Sequence, residues 1–369
     1  MVKKLLSVLK GDAQSPPPVW LMRQAGRYLP EYRALRANAP DFVQFCLNPE
    51  LAVEITLQPV RRFKLDAAIL FADILLVPHA LGQKLWFAEG EGPRLDPITD
   101  AAGIASLRYD AAKLEPVMQT IKGVRAAMAA DPAMVNAALI GFAGAPWTVA
   151  TYMIEGKGGT DHENVRKLAW REPATFARLM DVLVDSTSRY LIAQADAGAE
   201  ALQLFESWAA TVPAGLFEAA VLNPTARIVA NVKAKHPGLP IIGFPRGAGG
   251  WLTRYAEVTG VDGIGIDQMT DIEEVARSID QEMCAPAPAH DANDGRAVFR
   301  PGVRPNKKVA LQGNLDPILL LQGGEAMRAE ARRLVAAMKG KPFIFNLGHG
   351  VMQPTPPDHV AELVAAIRE

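Results

Sequence analysis

The sequence predicts an α/β fold, a single (β/α)8 TIM-type barrel spanning residues 1–369, with the active site at the carboxyl ends of the strands. Three observations carry this. Short apolar runs recur eight times, helical segments separate them, and a polar or charged residue follows nearly every run. Near-continuous apolar runs suit strands covered on both faces, as in a parallel sheet. Eight alternations favour a closed barrel over an open doubly wound sheet, and no G-x-G-x-x-G or Walker pattern argues for a nucleotide fold.

The first run, residues 19–22, leaves the segment Pro16-Pro17-Pro18 and stops at Arg23. Arg23, Arg27, Arg33 and Arg36 then fall within fourteen residues, with Gly26 among them. Guanidinium groups stay charged and present planar forks of donors, so a group of them past a strand end suits a polyanion. A solvated basic helix face, with Glu31 and Asp41 as partners, accounts for the same pattern. Residues 49–64 read as a helix with Arg61 and Arg62 near its end. The second run, 67–71, ends at Asp73 and leads into a loop holding Pro78, His79 and Gly82.

An amphipathic segment at 114–130 precedes the third run, 137–142, which continues into Gly144-Ala145-Pro146-Trp147. A helix near 174–197 leads to the fourth run, 201–205, ending at Glu206 and Ser207. A helix near 216–236 leads to the fifth, 240–244, followed by Pro245-Arg246-Gly247-Ala248-Gly249-Gly250. The sixth run, 263–266, ends at Asp267 and is followed by a helix near 271–283. The seventh, 309–311, ends in Gln312-Gly313-Asn314. A helix near 325–338 precedes the eighth, 343–345, and then Asn346-Leu347-Gly348-His349-Gly350. Residues 285–304 are turn-rich and lack helical period. Between the sixth helix and the seventh strand they would form a surface loop insertion on the face opposite the site.

Composition narrows the function. The net charge is 39 − 40 = −1, so no global field recommends nucleic acid or an anionic membrane, and any anion preference must be local. The basic start has too short an apolar run for a secretory signal, and no stretch reaches the ~18 apolar residues of a spanning helix. Cys46 and Cys284 stand apart in no paired motif, which suggests neither a disulfide framework nor a cysteine metal centre. These features fit a soluble, cytoplasmic protein with no metal or cofactor site.

The strand ends offer Arg23, Arg27, Asp73, Tyr152 just past the third run, Ser207, Asp267, Gln312, Asn314 and His349. Each has a plainer role open to it. Asp73 and Ser207 are ordinary helix caps or turn residues, and Tyr152 suits half-buried packing. His349 lies between two glycines, which let the chain turn tightly around it. Asp267 reads as a positioning group and Glu206 as structural. Together the ring suggests an anion-binding cavity with one or two acids.

The stretch Pro18-Val19-Trp20-Leu21-Met22-Arg23-Gln24-Ala25-Gly26-Arg27 resembles the N-terminal signature of uroporphyrinogen decarboxylases. The block from Gly141 to Gly156 resembles that family's other signature. Further similarities lie at Phe71-Ala72-Asp73-Ile74, Leu204-Phe205-Glu206-Ser207, Leu311-Gln312-Gly313-Asn314 and Asn346 to Gly350, so they cover nearly the whole chain. One departure follows Asp267, where the family often has Trp-Thr and this chain has Gln268-Met269-Thr270.

The resemblance implies decarboxylation of the four acetate side chains of uroporphyrinogen III, a cyclic tetrapyrrole with eight carboxylates, in haem biosynthesis. It also implies a homodimer and no cofactor, and it carries part of the case for a closed barrel, since strand order cannot be read from one sequence. Arg23, Arg27, Arg36, Asp73, Tyr152, Ser207 and His349 would line the tetrapyrrole cleft. Asp73, Arg23, Tyr152 and His349 would serve the chemistry: Asp73 accepts pyrrole N–H groups, and an arginine near the reacting acetate mediates protonation. Two rivals remain: a corrinoid-linked methyltransferase with a zinc-held thiol, for which no His-x-Cys pattern is present, and a tetrapyrrole-binding protein without turnover.

Overall fold

The apolar runs become strands because every residue in them is covered, by helices on one side and by opposing strands on the other. In the computed structural model, which describes residues 3–39, 41–88, 92–284 and 308–369, the order of elements is that of a barrel. Nine strands occur among the described residues: β1 Ala67–Ile69, β2 Leu85–Ala88, β3 Gly92–Leu95, β4 Ala138–Gly144, β5 Ala201–Glu206, β6 Ile241–Pro245, β7 Gly263–Gly265, β8 Ala310–Leu315 and β9 Phe343–Leu347. Seven form one parallel sheet in the order β1-β4-β5-β6-β7-β8-β9. Within that sheet each strand pairs with the next one along the chain, the β2–β3 hairpin standing apart, as consecutive strand–helix–strand units do.

The eighth stave is the opening run, and it is less regular than the sequence suggests. Val19 makes a single parallel bridge to Phe345 of β9, and its carbonyl accepts from Asp66 N just before β1 at 2.9 Å. The run thus lies between the two ends of the sheet and closes it. Pro18 offers no N–H and the chain turns away at Arg23, so side chains replace part of the ladder. Asp66 Oδ2 accepts from Val19 N and Asn346 Oδ1 from Met22 N, each at 2.9 Å. Closure is also visible inside. Gln312 on β8 donates across the interior to Gln203 Oε1 on β5 at 3.2 Å, and Gln312 Oε1 accepts from Trp20 Nε1 at 3.0 Å. Gln312 is therefore a barrel-interior residue rather than part of the cavity rim.

Three local expectations change. The segment around His79 contains a short helix, Leu76–Ala80, and an antiparallel hairpin of β2 and β3 follows it. The helix expected near 216–236 divides into Ala214–Phe217, a π-helical turn Glu218–Leu222 and Asn223–Lys235. Pro224 explains the widened turn, since its ring cannot donate and would crowd the carbonyl four residues earlier in a regular helix. The insertion at 285–304 lies outside the described residues. No described helix is long and apolar enough to cross a membrane.

Candidate active site

The carboxyl ends of the strands surround a cleft of about 500 Å³ whose walls include Arg23, Arg246, Gln268, Ile318, His349 and Gln353. Arg23 is placed there by a turn clamped from both sides. Leu21 N donates to Gln24 Oε1 at 3.1 Å, Gln24 Nε2 donates to the Ala67 carbonyl at 3.1 Å, and Val351 N donates to the Met22 carbonyl at 2.9 Å. Arg23 itself takes φ 59°, a left-handed conformation uncommon for a side chain of this size. Such strain persists only where surrounding bonds over-determine it. Gly350 lies against the Arg23 stem, with no room for a β-carbon.

Arg23 keeps contact with solvent, yet the cleft walls desolvate its guanidinium enough to lower its pKa. Tyr152 and Asp73 oppose that shift, and Arg246 and Arg27 add to it, so these five groups share one electrostatic neighbourhood. Asp73 follows β1. Its Oδ1 accepts from Leu75 N at 2.8 Å, so the capping role and the site role coincide in one carboxylate. Burial pushes its pKa up to about 6, against the opposing pull of the Leu75 N–H and Arg23. Buried Cys46 is close enough to feel it, its thiol pushed up first by burial and then by the Asp73 charge.

Tyr152 comes from the helix Pro146–Glu155, which follows β4. Glu206, the last residue of β5, caps this helix, accepting from Trp147 N at 3.2 Å, Thr148 N at 2.6 Å and the Thr148 hydroxyl. A buried carboxylate at a helix N-terminus is favoured by the free N–H groups there, and Glu206 is structural, with burial raising its pKa to about 7. The Tyr152 ring lies 6.3 Å from Trp208, and burial followed by Asp73 raises its phenol pKa. Ser207 is half-buried in the turn between Glu206 and Trp208.

His349 follows β9. Gly350 N donates to its Nδ1 at 2.7 Å, which places the proton of the neutral ring on Nε2. Burial, then Arg23 and Arg246, lower its pKa to about 4, so near neutral pH it is an uncharged N–H donor. Arg27 faces the Gln353 amide, whose oxygen accepts from Nε at 3.3 Å and Nη2 at 2.9 Å. Arg36 is set apart from this group. Its guanidinium lies 5.5 Å from the centre of the Phe45 ring and donates to the Ala39 carbonyl at 3.0 Å.

Asp267 positions a loop: its Oδ2 accepts from Gly247 N at 2.6 Å and its Oδ1 from Met269 N at 2.9 Å. Asn314 donates to the Asp267 and Thr270 carbonyls at 2.9 and 2.8 Å and braces the same segment. Sequence reasoning passed over Arg246, Trp208 and Gln353. Arg246 carried the same signal as Asp73, a charged residue directly after a strand. No group of three His, Cys, Asp or Glu side chains among the described residues is arranged to hold a metal ion.

Known proteins resemble this chain over nearly its whole length. The family model for uroporphyrinogen decarboxylase (URO-D) matches residues 2–369. A uroporphyrinogen decarboxylase of Rhizorhabdus wittichii is 46% identical over 367 residues, covering 99% of this chain and 97% of its own. One from a Jannaschia species is 47% identical, covering 99% and 98%. Among solved structures, a methyltransferase from Methanosarcina mazei superposes with TM-score 0.75 at 18% identity, covering 100% of this chain and 98% of its own. That last likeness concerns the fold alone.

Proposed function

The chain belongs to the uroporphyrinogen decarboxylase family, and from that premise we propose how its cleft performs the reaction. Its activity is uroporphyrinogen decarboxylation in haem biosynthesis. The proposal concerns the residues, the III isomer as substrate, and a route that uses no cofactor.

Direct loss of carbon dioxide from a pyrrole acetate leaves a poorly stabilised carbanion. Protonation of the adjacent ring carbon first turns the pyrrole into a cation. The C–CO2 bond then breaks, its electron pair neutralises the ring, and an exocyclic methylene remains. A proton added to that methylene and one lost from the ring carbon restore the pyrrole with a methyl group. Each acetate therefore consumes one proton and releases one carbon dioxide. The substrate supplies the electron sink that a cofactor provides in other decarboxylases.

Asp73 supports this reading more than any other residue. Half-buried near Arg23 and carrying a pKa of about 6, it is mostly ionised at neutral pH. There it accepts pyrrole N–H groups and stabilises the transient cation, a preorganised interaction worth on the order of several kcal/mol. Arg23 holds the carboxylate beside the ring carbon that gains the proton. Arg27 takes a peripheral carboxylate and Arg36 one at the rim. Tyr152, Ser207 and the Nε2–H of His349 orient the substrate by donating to its carboxylates. We also assign a single domain, a homodimer and a cytoplasmic location, to be checked by light scattering and fractionation.

The test is anaerobic incubation of metal-free protein with uroporphyrinogen III, followed by oxidation and separation of the porphyrins. Stepwise seven-, six-, five- and four-carboxylate products are expected. Activity that appears only on addition of a metal or cofactor would contradict the proposed route.

A further inference from the structure

Arg246 follows β6 directly and shares the cleft wall with Arg23 and His349. It lies close enough to weaken the hold of both on a proton. Among the described residues no carboxylate lies within ion-pairing distance of Arg246 or Arg23. Two neighbouring guanidinium groups repel each other, and the cleft walls remove part of the water that would screen them. A fold tolerates that arrangement when an anion completes it.

The backbone at Arg246 is held unusually firmly for a loop rich in glycine. Arg246 N donates to the Glu206 and Phe244 carbonyls, each at 3.1 Å, and its own carbonyl accepts from Ala210 N at 3.1 Å. The next residue, Gly247, takes φ 73° and donates to Asp267 Oδ2 at 2.6 Å. A β-carbon at Gly247 would meet that of Ala210, so the turn that aims Arg246 depends on glycine here. Asp267 thus helps hold the turn that carries Arg246.

We infer that Arg246 is a substrate-binding residue that pairs with Arg23 to grip one carboxylate of the tetrapyrrole, with His349 Nε2–H as the third donor. The inference rests on the decarboxylase reading and adds to it a clamp assembled from three different strand ends. Guanidinium forks bind a carboxylate bidentately, so two of them fix the position of one side chain and hence the rotation of the macrocycle in the cleft.

Arg246→Ala and Arg246→Lys, with wild type and Asp73→Asn alongside, provide the test. For Arg246→Ala, KM for uroporphyrinogen III should rise about 10- to 100-fold, as expected for one lost charged hydrogen-bond pair, with kcat changed less than fivefold and the melting temperature kept. Arg246→Lys should fall between. Guanidinium chloride at millimolar concentration should lower the KM of Arg246→Ala relative to equal sodium chloride. Wild-type KM in Arg246→Ala would overturn the inference, as would a parallel loss of kcat and melting temperature in both variants. No carbon dioxide release by wild type would instead overturn the decarboxylase reading itself.

Discussion

On the outer helices Arg333 pairs with Glu273 and Glu330, Arg332 with Glu325 and Glu369, Arg227 with Asp181 and Arg61 with Glu54. At the cleft mouth Arg23, Arg27 and Arg246 have no such partners among the described residues, although Asp73 is near. The same side chain therefore does opposite work in two regions. Outside, exposed pairs in high dielectric contribute about 0–1 kcal/mol each and keep the surface polar. In the cleft, Arg23 and Arg246 are held on clamped turns with no carboxylate paired to them among the described residues, and Arg27 meets only the neutral Gln353 amide. The contrast separates binding arginines from surface ones in a chain whose net charge is only −1 and whose composition alone distinguishes none of them.

The comparison is easiest to break at Arg23. Arg23→Ala should lower kcat/KM on the order of 10²- to 10³-fold, the range seen when one preorganised donor is removed from an active site. Steady-state carbon dioxide release checks this, with thermal melting as a control on the fold. A change below threefold would mean the unpaired cations are incidental. At the other extreme, Arg333→Ala should leave kcat/KM unchanged and shift stability by no more than about 1 kcal/mol, measured by urea unfolding. A large loss of activity there would end the distinction between the two regions.

Strands were legible in the sequence because burial on both faces leaves apolar runs such as Ala201 to Phe205, and Asp73 and His349 were legible because they end such runs. Other features depended on information that is not local. Gln312 looked like a rim residue, but β8 continues to Leu315 and the alternation of side chains turns Gln312 inward toward Trp20 and Gln203. Arg246 was obscured by the glycines that follow it. Its significance lies in having no carboxylate partner among the described residues, a property that only the assembled structure displays. Arg36 had the same sequence signal as Arg23, yet its helix, Pro30–Arg36, turns it toward Phe45.

Asp73 joins the two halves of the account, since its burial costs stability and sustains the chemistry. Its folded pKa of about 6 lies above the ordinary 3.8. Its contribution to stability is therefore present in full below pH 3.8 and lost as pH rises through about 6, while the ion needed for turnover forms over the same interval. The central claim is tested most directly by the pH dependence of kcat/KM for wild type and Asp73→Asn. Wild type should hold its rate above pH 7 and lose about tenfold per pH unit below an apparent pKa near 6. Asp73→Asn should be about 10²-fold or more slower at pH 7, show no such limb, and melt no lower than wild type. Near-wild-type turnover in Asp73→Asn, with the acid limb intact, would contradict the account.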